Sequence, residues 1–270
     1  MSKFLLGVLA TVALPSAAGA VIGPPISFAS GNTIYLVNPD GTGLSTVYQG
    51  PRGTAVQWVD LKPGGGEVAF VENHVLKILS YGDTGRPTSA PRTIVLPCAV
   101  ALEVDHNPAD GSLAVKDGCA PQHIWRVDST GAHLMVTQPT TIGDVIWSSD
   151  GSHLYYDLAD GIHSFDPATG GTALVLSPDR SMWSATQTGD RLVLGTTNGN
   201  YFIHDFATGV DAPGCTQGQV FHYGNGDSQM VFRIPAHNAF YVAVENTNCS
   251  GLRLITSRAG AYAGIDWAAP

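Results

Sequence analysis

An all-β propeller of six four-stranded antiparallel blades is the fold this sequence predicts, and three observations predict it. A hairpin whose turn carries Gly, Pro or Asp recurs along the chain. Between its copies lies a second unit, a short strand followed by a turn that Asp or Asn opens. The second unit recurs at steps of 38 to 51 residues, close to the roughly 40–45 residues of a four-stranded propeller blade.

The chain opens on a segment outside that pattern. Lys3 is followed by an apolar run from Phe4 to Leu14, and Ala18-Gly19-Ala20 has the small-residue spacing of a cleavage site. That order is the order of a secretory signal peptide, so residues 1–20 are expected to be removed and residues 21–270 to form a single propeller domain. The run is too short to span a bilayer, and no later stretch is long and apolar enough to be a transmembrane segment. The protein is therefore expected in the periplasm or outside the cell.

Five hairpins follow. Val56–Asp60 turns through Pro63-Gly64-Gly65-Gly66 into Glu67–Val71. Leu102–Asp105 turns through Pro108-Ala109-Asp110-Gly111 into Ser112–Val115. Val145–Trp147 turns through Asp150-Gly151 into Leu154–Tyr156. Trp183–Ala185 turns through Thr188-Gly189-Asp190 into Leu192–Leu194, and Met230–Arg233 through Pro235–Asn238 into Phe240–Val244. Each turn contains residues that accept positive φ or preset a turn, and each flank is rich in β-branched or aromatic residues. The second unit starts at Ile34, Val75, Ile124, Ile162, Tyr201 and Leu252, and its clearest turns are Asn38-Pro39-Asp40-Gly41, Asp128-Ser129-Thr130-Gly131 and Asp166-Pro167-Ala168-Thr169-Gly170. Six starts and five hairpins leave the last blade one strand short at Ile265-Asp266-Trp267. Pro25–Ala29 is the expected donor, closing the ring and burying two free edges. In this phasing the strand that opens each second unit is the innermost of its blade.

Two stretches carry a resemblance. Trp147-Ser148-Ser149-Asp150-Gly151 resembles the W-S-P-D-G hairpin of TolB-like (WD40-like) propeller repeats, and Ile34-Tyr35-Leu36-Val37-Asn38-Pro39-Asp40-Gly41-Thr42 resembles the same family's I-Y-x-x-N-x-D-G-T hairpin. The resemblance implies a six-bladed propeller that binds protein or small ligands at one mouth of its channel. TolB proper carries an α/β domain ahead of its propeller. Only a short segment here separates Ala20 from the first expected strand, so the resemblance does not extend to a role in the Tol–Pal system.

Composition narrows the partners. The net charge is −9, with 13 Lys plus Arg. That removes the basic footprint needed for nucleic acid or an anionic membrane and weakly favours a cationic partner. The four cysteines fit an oxidising route. By register, Cys98 and Cys215 precede third strands of their blades while Cys119 and Cys249 follow fourth strands, ends that lie side by side in an antiparallel sheet. Disulfides Cys98–Cys119 and Cys215–Cys249 are expected. Both would pin the same loop face, which is where binding is expected, with His74, His123, Asn198 and Asn200 as candidate ligand contacts.

Nine histidines invite a metal reading. His123, His163 and His204 share a strand face by their offsets from the turns, but a stagger of two residues displaces each by roughly 6.5 Å, whereas metal ligands sit about 2 Å from one ion. Asp128, Asp166 and Asp205 are explained by Asx turns. Gly-x-Ser-x-Gly elbows, P-loops and dinucleotide fingerprints are missing from the sequence, so no cofactor is expected. The leading reading is an exported, non-enzymatic propeller that binds protein or peptide through one loop face. The first alternative is a metal-dependent lyase or lactonase using His123, His163 and His204. The second is a sugar- or small-molecule-binding module, built on Tyr35, Trp125 and Tyr201 as channel aromatics.

Overall fold

The computed structural model describes residues 24–178, 181–186, 188–195, 201–214, 219–224, 226–236, 239–259 and 264–267. Its strands, taken by blade, are β1 (Ile26–Ser30), β2 (Thr33–Val37) and β3 (Ser45–Gln49); then β4 (Val56–Leu61), β5 (Glu67–Glu72), β6 (Val75–Ser80) and β7 (Arg92–Ile94); then β8 (Ala101–His106), β9 (Leu113–Asp117), β10 (Gln122–Asp128) and β11 (Gly131–Gln138). The fourth set is β12 (Val145–Trp147), β13 (Leu154–Leu158), β14 (Gly161–Asp166) and β15 (Gly171–Leu176). The fifth is β16 (Ser181–Ala185), β17 (Arg191–Gly195), β18 (Tyr201–Asp205) and β19 (Val210–Pro213). The sixth is β20 (Gln219–Gly224), β21 (Gln229–Ala236), β22 (Ala239–Asn246) and β23 (Ser250–Ala259), and β24 (Ile265–Trp267) ends the described chain.

These strands form six antiparallel four-stranded sheets arranged as a propeller. Five are consecutive along the chain, and the sixth has the order β24-β1-β2-β3. In it Ile26 lies opposite Trp267, Ser27 opposite Asp266 and Phe28 opposite Ile265. The strands β4, β8, β12, β16, β20 and β24 each touch the next in that cycle, so they surround the axis. The phasing read from the sequence is thereby corrected, by two strands in most of the ring. The first strand of each of the first four hairpins is innermost, and the strands that open the first five second units are third in their blades. In the sixth blade the Met230–Val244 hairpin is β21–β22, the second and third strands behind an inner β20, and Leu252 lies on β23, the fourth. Period and turn chemistry are unchanged by such a shift, because the two units alternate; only contacts between blades fix the phase.

Interleaved apolar side chains hold neighbouring blades together. One core cluster joins Ala29, Ile34 and Leu36 of the first sheet to Val59, Val68 and Phe70 of the second, and another joins Ile26, Phe28 and Ile265 to Val231, Val242 and Val244 of the sixth. Gly264 sits where the last strand meets β4: a methyl added there would lie 2.6 Å from the Val59 backbone nitrogen and 3.0 Å from its carbonyl oxygen. Backbone cannot yield as a side chain can, so Gly264→Ala is expected to lower stability by about 1–3 kcal/mol, measured by chemical denaturation.

Turn geometry follows the sequence. Asp128 accepts from the Thr130 N–H at 2.7 Å, Asp166 from Ala168 at 2.8 Å and Asp205 from Thr208 at 3.0 Å. Hydrogen bonds to Thr130 bring the Asp128 carboxyl down to about 2. These three aspartates are turn residues. Among the described residues no helix is long and apolar enough to cross a membrane.

Candidate functional site: the axial channel

The inner strands bring one residue per blade to the same level of the channel: Asp60, Asp105, Ile146, Ser184, His222 and Asp266. All six line an axial cavity of about 110 Å³, with Trp58, His106, Trp147 and Trp267 also in its wall. The hairpin turns that join first to second strands, represented by Pro63, Pro108 and Ser149, stand at its mouth. The ring is polar on one half and largely uncharged on the other, because the three aspartates occupy three successive blades.

Each aspartate also ties its blade to the next. Asp266 Oδ2 accepts from the Leu61 N–H at 2.6 Å, Asp60 Oδ2 from His106 N–H at 2.8 Å, and Asp105 Oδ2 from Trp147 N–H at 2.6 Å. Neighbouring inner strands in a propeller are not hydrogen-bonded to one another, so these carboxylates satisfy backbone donors that would otherwise be orphaned. A second rung lies farther along the channel: Glu103 Oε1 accepts from the Val145 N–H at 2.9 Å while Lys116 Nζ stands 2.6 Å from Glu103 Oε2.

Two histidines complete the polar half. His106 Nδ1 lies 2.5 Å from Asp60 Oδ2, and its Nε2 lies 3.7 Å from Glu67 Oε1. Burial works against a charged imidazole, but the carboxylates of Asp60 and Glu67 outweigh it and raise His106 to about 9. Burial and the nearby Asp266 raise Asp60 to about 6 even though His106 pulls it down. Burial and then Asp60 raise the Asp105 carboxyl well above its usual range. His222 Nδ1 is 3.0 Å from Asp266 Oδ1. Burial works against the Asp266 carboxylate, but His222 and the Leu61 and Trp267 N–H groups hold it below its usual value.

The residues singled out from the sequence lie elsewhere. His123, His163 and His204 are on β10, β14 and β18, third strands of three blades, so they do not line the channel. Each is taken up by its own acid: Asp117 at 2.8 Å, Asp160 at 2.9 Å and Asp211 at 2.8 Å. Tyr35, Trp125 and Tyr201 are likewise on third strands, and the aromatic residues of the channel wall are Trp58, Trp147, Tyr223 and Trp267. His74 forms a tight turn with Asn73, both at positive φ, and lines a separate, mostly apolar cavity of about 210 Å³ with Val75, Ile94 and Val95. Asn198, Asn200 and Cys215 lie outside the described residues.

Cys98 and Cys119 are joined, with their Cα atoms 6.3 Å apart. The bridge links the β7–β8 connection to the β9–β10 loop, on the face opposite the mouth of the axial cavity. Cys249 is also disulfide-bonded. Asp117 braces the Cys98–Cys119 loop by accepting from Cys119 N–H, His123 N–H and Trp125 Nε1–H. Among the described residues, Cys98, Asp117 and Cys119 are the one group of three possible metal donors within 4.8 Å of one another, and its two sulfurs are spent on each other. Reduction is expected to lower stability by about 2–4 kcal/mol, read from denaturation curves with and without dithiothreitol.

The sequence did carry a signal for the axial ring. Val59-Asp60 and Val104-Asp105 each stand three residues ahead of the turn prolines Pro63 and Pro108, and Ile265-Asp266 repeats the pattern at the end of the chain. Aligning the hairpins on their turns would have stacked these aspartates.

No protein-family model and no curated protein sequence matches the chain. Solved structures do. Over 94% of this chain and 69% of the other, it superposes on TolB from Acinetobacter baumannii with a TM-score of 0.72 at 16% identity. The fold is that of a TolB-type propeller. A putative TolB from Agrobacterium tumefaciens matches over 91% of this chain and 99% of its own, with a TM-score of 0.67 at 15% identity. A chain of a nidogen/laminin complex matches over 91% and 98%, with a TM-score of 0.70 at 10% identity. At these identities the likeness is one of fold, and within the TolB-type fold the axial cavity is read from this chain's own residues.

Proposed function

We propose that this protein is an exported, non-enzymatic TolB-type propeller that binds a protein or peptide through one loop face, at the mouth of the axial channel. The observation that carries the reading is the axial cavity with its half-ring of carboxylates. At about 110 Å³ it falls short of the roughly 300–1,000 Å³ of typical small-molecule pockets. A side-chain tip presented by a larger partner fits that size, and the surrounding hairpin turns supply the wider contact surface. Two of the structures this chain resembles in fold are called TolB and one comes from a complex of two proteins, which supports a scaffold or binding role. Export is supported by the signal pattern of residues 1–20 and by a disulfide in a chain without a redox motif.

A photo-crosslinking residue placed at Pro108, on the mouth, and separately at Ala120, on the disulfide face, tests this in exporting cells. A discrete protein adduct from position 108 and none from position 120 is the expected result. Adducts from position 120 alone would return the binding surface to the disulfide face.

A further inference from the structure

We infer that the axial ring is a receptor for a basic side chain, an arginine guanidinium best of all, contributed by the partner. This rests on the reading of the channel mouth as the binding face and names the chemistry that face selects.

The hydrogen-bond inventory leads there. Among the described residues Asp60 and Asp105 engage their neighbours through Oδ2 alone, so Oδ1 of each is open to a ligand. Ser184 lines the same cavity from across the ring; it is 3% exposed, and among the described residues its hydroxyl has no hydrogen-bond partner. A burial of that kind is unfavourable unless something completes it. Among the described residues the polar atoms of the wall without a hydrogen-bond partner include two carboxyl oxygens, the hydroxyls of Ser184 and Tyr223, His106 Nε2 and Trp147 Nε1. The carboxyl oxygens and the hydroxyls can accept, and a cation beside the two acids holds them ionised. A ligand rich in donors and carrying positive charge answers them, and guanidinium offers five N–H groups in a plane with no acceptor of its own. The rest of the wall suits the stem that carries it. Val145 and Ile146 add apolar surface for methylenes, and Trp58, half-buried, is in the same wall, an aromatic of the kind that attracts cations.

An inorganic cation fits less well. No three carboxylate or imidazole donor atoms of the ring lie within 4.8 Å of one another among the described residues, so one ion cannot draw on three of them at once, whereas a planar fork spans separated acceptors. The net charge of −9 favours the approach of a cationic partner without selecting it.

The test compares N-propylguanidinium with N-propylurea, which has nearly the same shape and no charge, by titrating each into the ¹⁵N-labelled mature protein and following indole and backbone amide shifts. The expected result is saturable binding of the guanidinium, with shifts at Trp58 and Ser184, at least tenfold tighter than the urea. Asp105→Asn is expected to weaken it by tenfold or more. Equal affinity for the two probes overturns the inference on the unaltered protein, even if the variant fails to fold. Saturable binding of Ca²⁺ that excludes the guanidinium overturns it in favour of a metal site. If position 108 still crosslinks to a partner while the guanidinium does not bind, the binding face stands and the basic side chain falls.

Discussion

Asp60→Ala is expected to lower stability by about 3–5 kcal/mol, the range for removing one partner of a buried ion pair. The His106 side chain is 1% exposed, and Asp60 accepts from both its backbone N–H and its Nδ1. Without that carboxylate the imidazole keeps only Glu67, 3.7 Å away, and the backbone donor is orphaned between two blades. Asp60→Asn retains an acceptor oxygen, so a smaller loss is expected. The same pair sets a pH dependence. The folded protein holds the His106 proton up to about 9, against about 6.5 in an unfolded chain. The stability it contributes is whole below about 6.5 and is lost as pH rises through 9, an effect of about 3 kcal/mol. Asp60 acts in the same direction at lower pH: raised to about 6, it makes stability fall as pH climbs from about 4 to 6. Urea denaturation at pH 7 and at pH 9.5 should show the decline, and Asp60→Ala should flatten it. A wild-type curve that is level between those two values would remove His106 from the account.

The blade architecture was legible because turns are local. Asn38, Asp128, Asp166 and Asp205 open turns through their own side chains, and Gly41, Gly170 and Gly209 take the positive φ that three of those turns need, so each is legible in place. The channel was not legible in the same way. Asp60, Asp105 and Asp266 stand in three different blades, each a single acid after a β-branched residue, and nothing within any one hairpin distinguishes an axial carboxylate from a surface one. What makes them a site is a relation between blades, and that relation depends on which strand is innermost. A phase two strands away would turn His123, His163 and His204 to the axis; the fold places them on third strands and pairs them with Asp117, Asp160 and Asp211. The disulfide between Cys98 and Cys119 sits at strand ends that adjoin in either phase, because strand neighbours within a hairpin do not change when the blade boundary moves.

Trp147→Ala should cost about 3–5 kcal/mol, the range for truncating a large buried aromatic, while leaving the axial ring in place. Trp147 is 2% exposed and packs with Ala114, Ile124 and Val136 of the preceding blade and with Val145, Leu154 and Tyr156 of its own. Its indole therefore fills the seam between two sheets, and the void left behind is walled by strands that cannot collapse without breaking ladder hydrogen bonds. The turn that follows is held separately: Asp150 accepts from the Ser152 N–H and from the hydroxyls of Ser148 and Ser152, bonds that hold the carboxyl at about 2. The tie to Asp105 uses the backbone N–H of residue 147, which alanine keeps. Ala185 occupies the matching position in the next blade, so a methyl is compatible with this strand's geometry. The substitution thus separates the two roles of the motif. Denaturation should register the loss of packing, and guanidinium binding at the axial ring should persist under conditions where the variant is folded. If binding vanished in a folded Trp147→Ala protein, the indole itself would belong to the receptor.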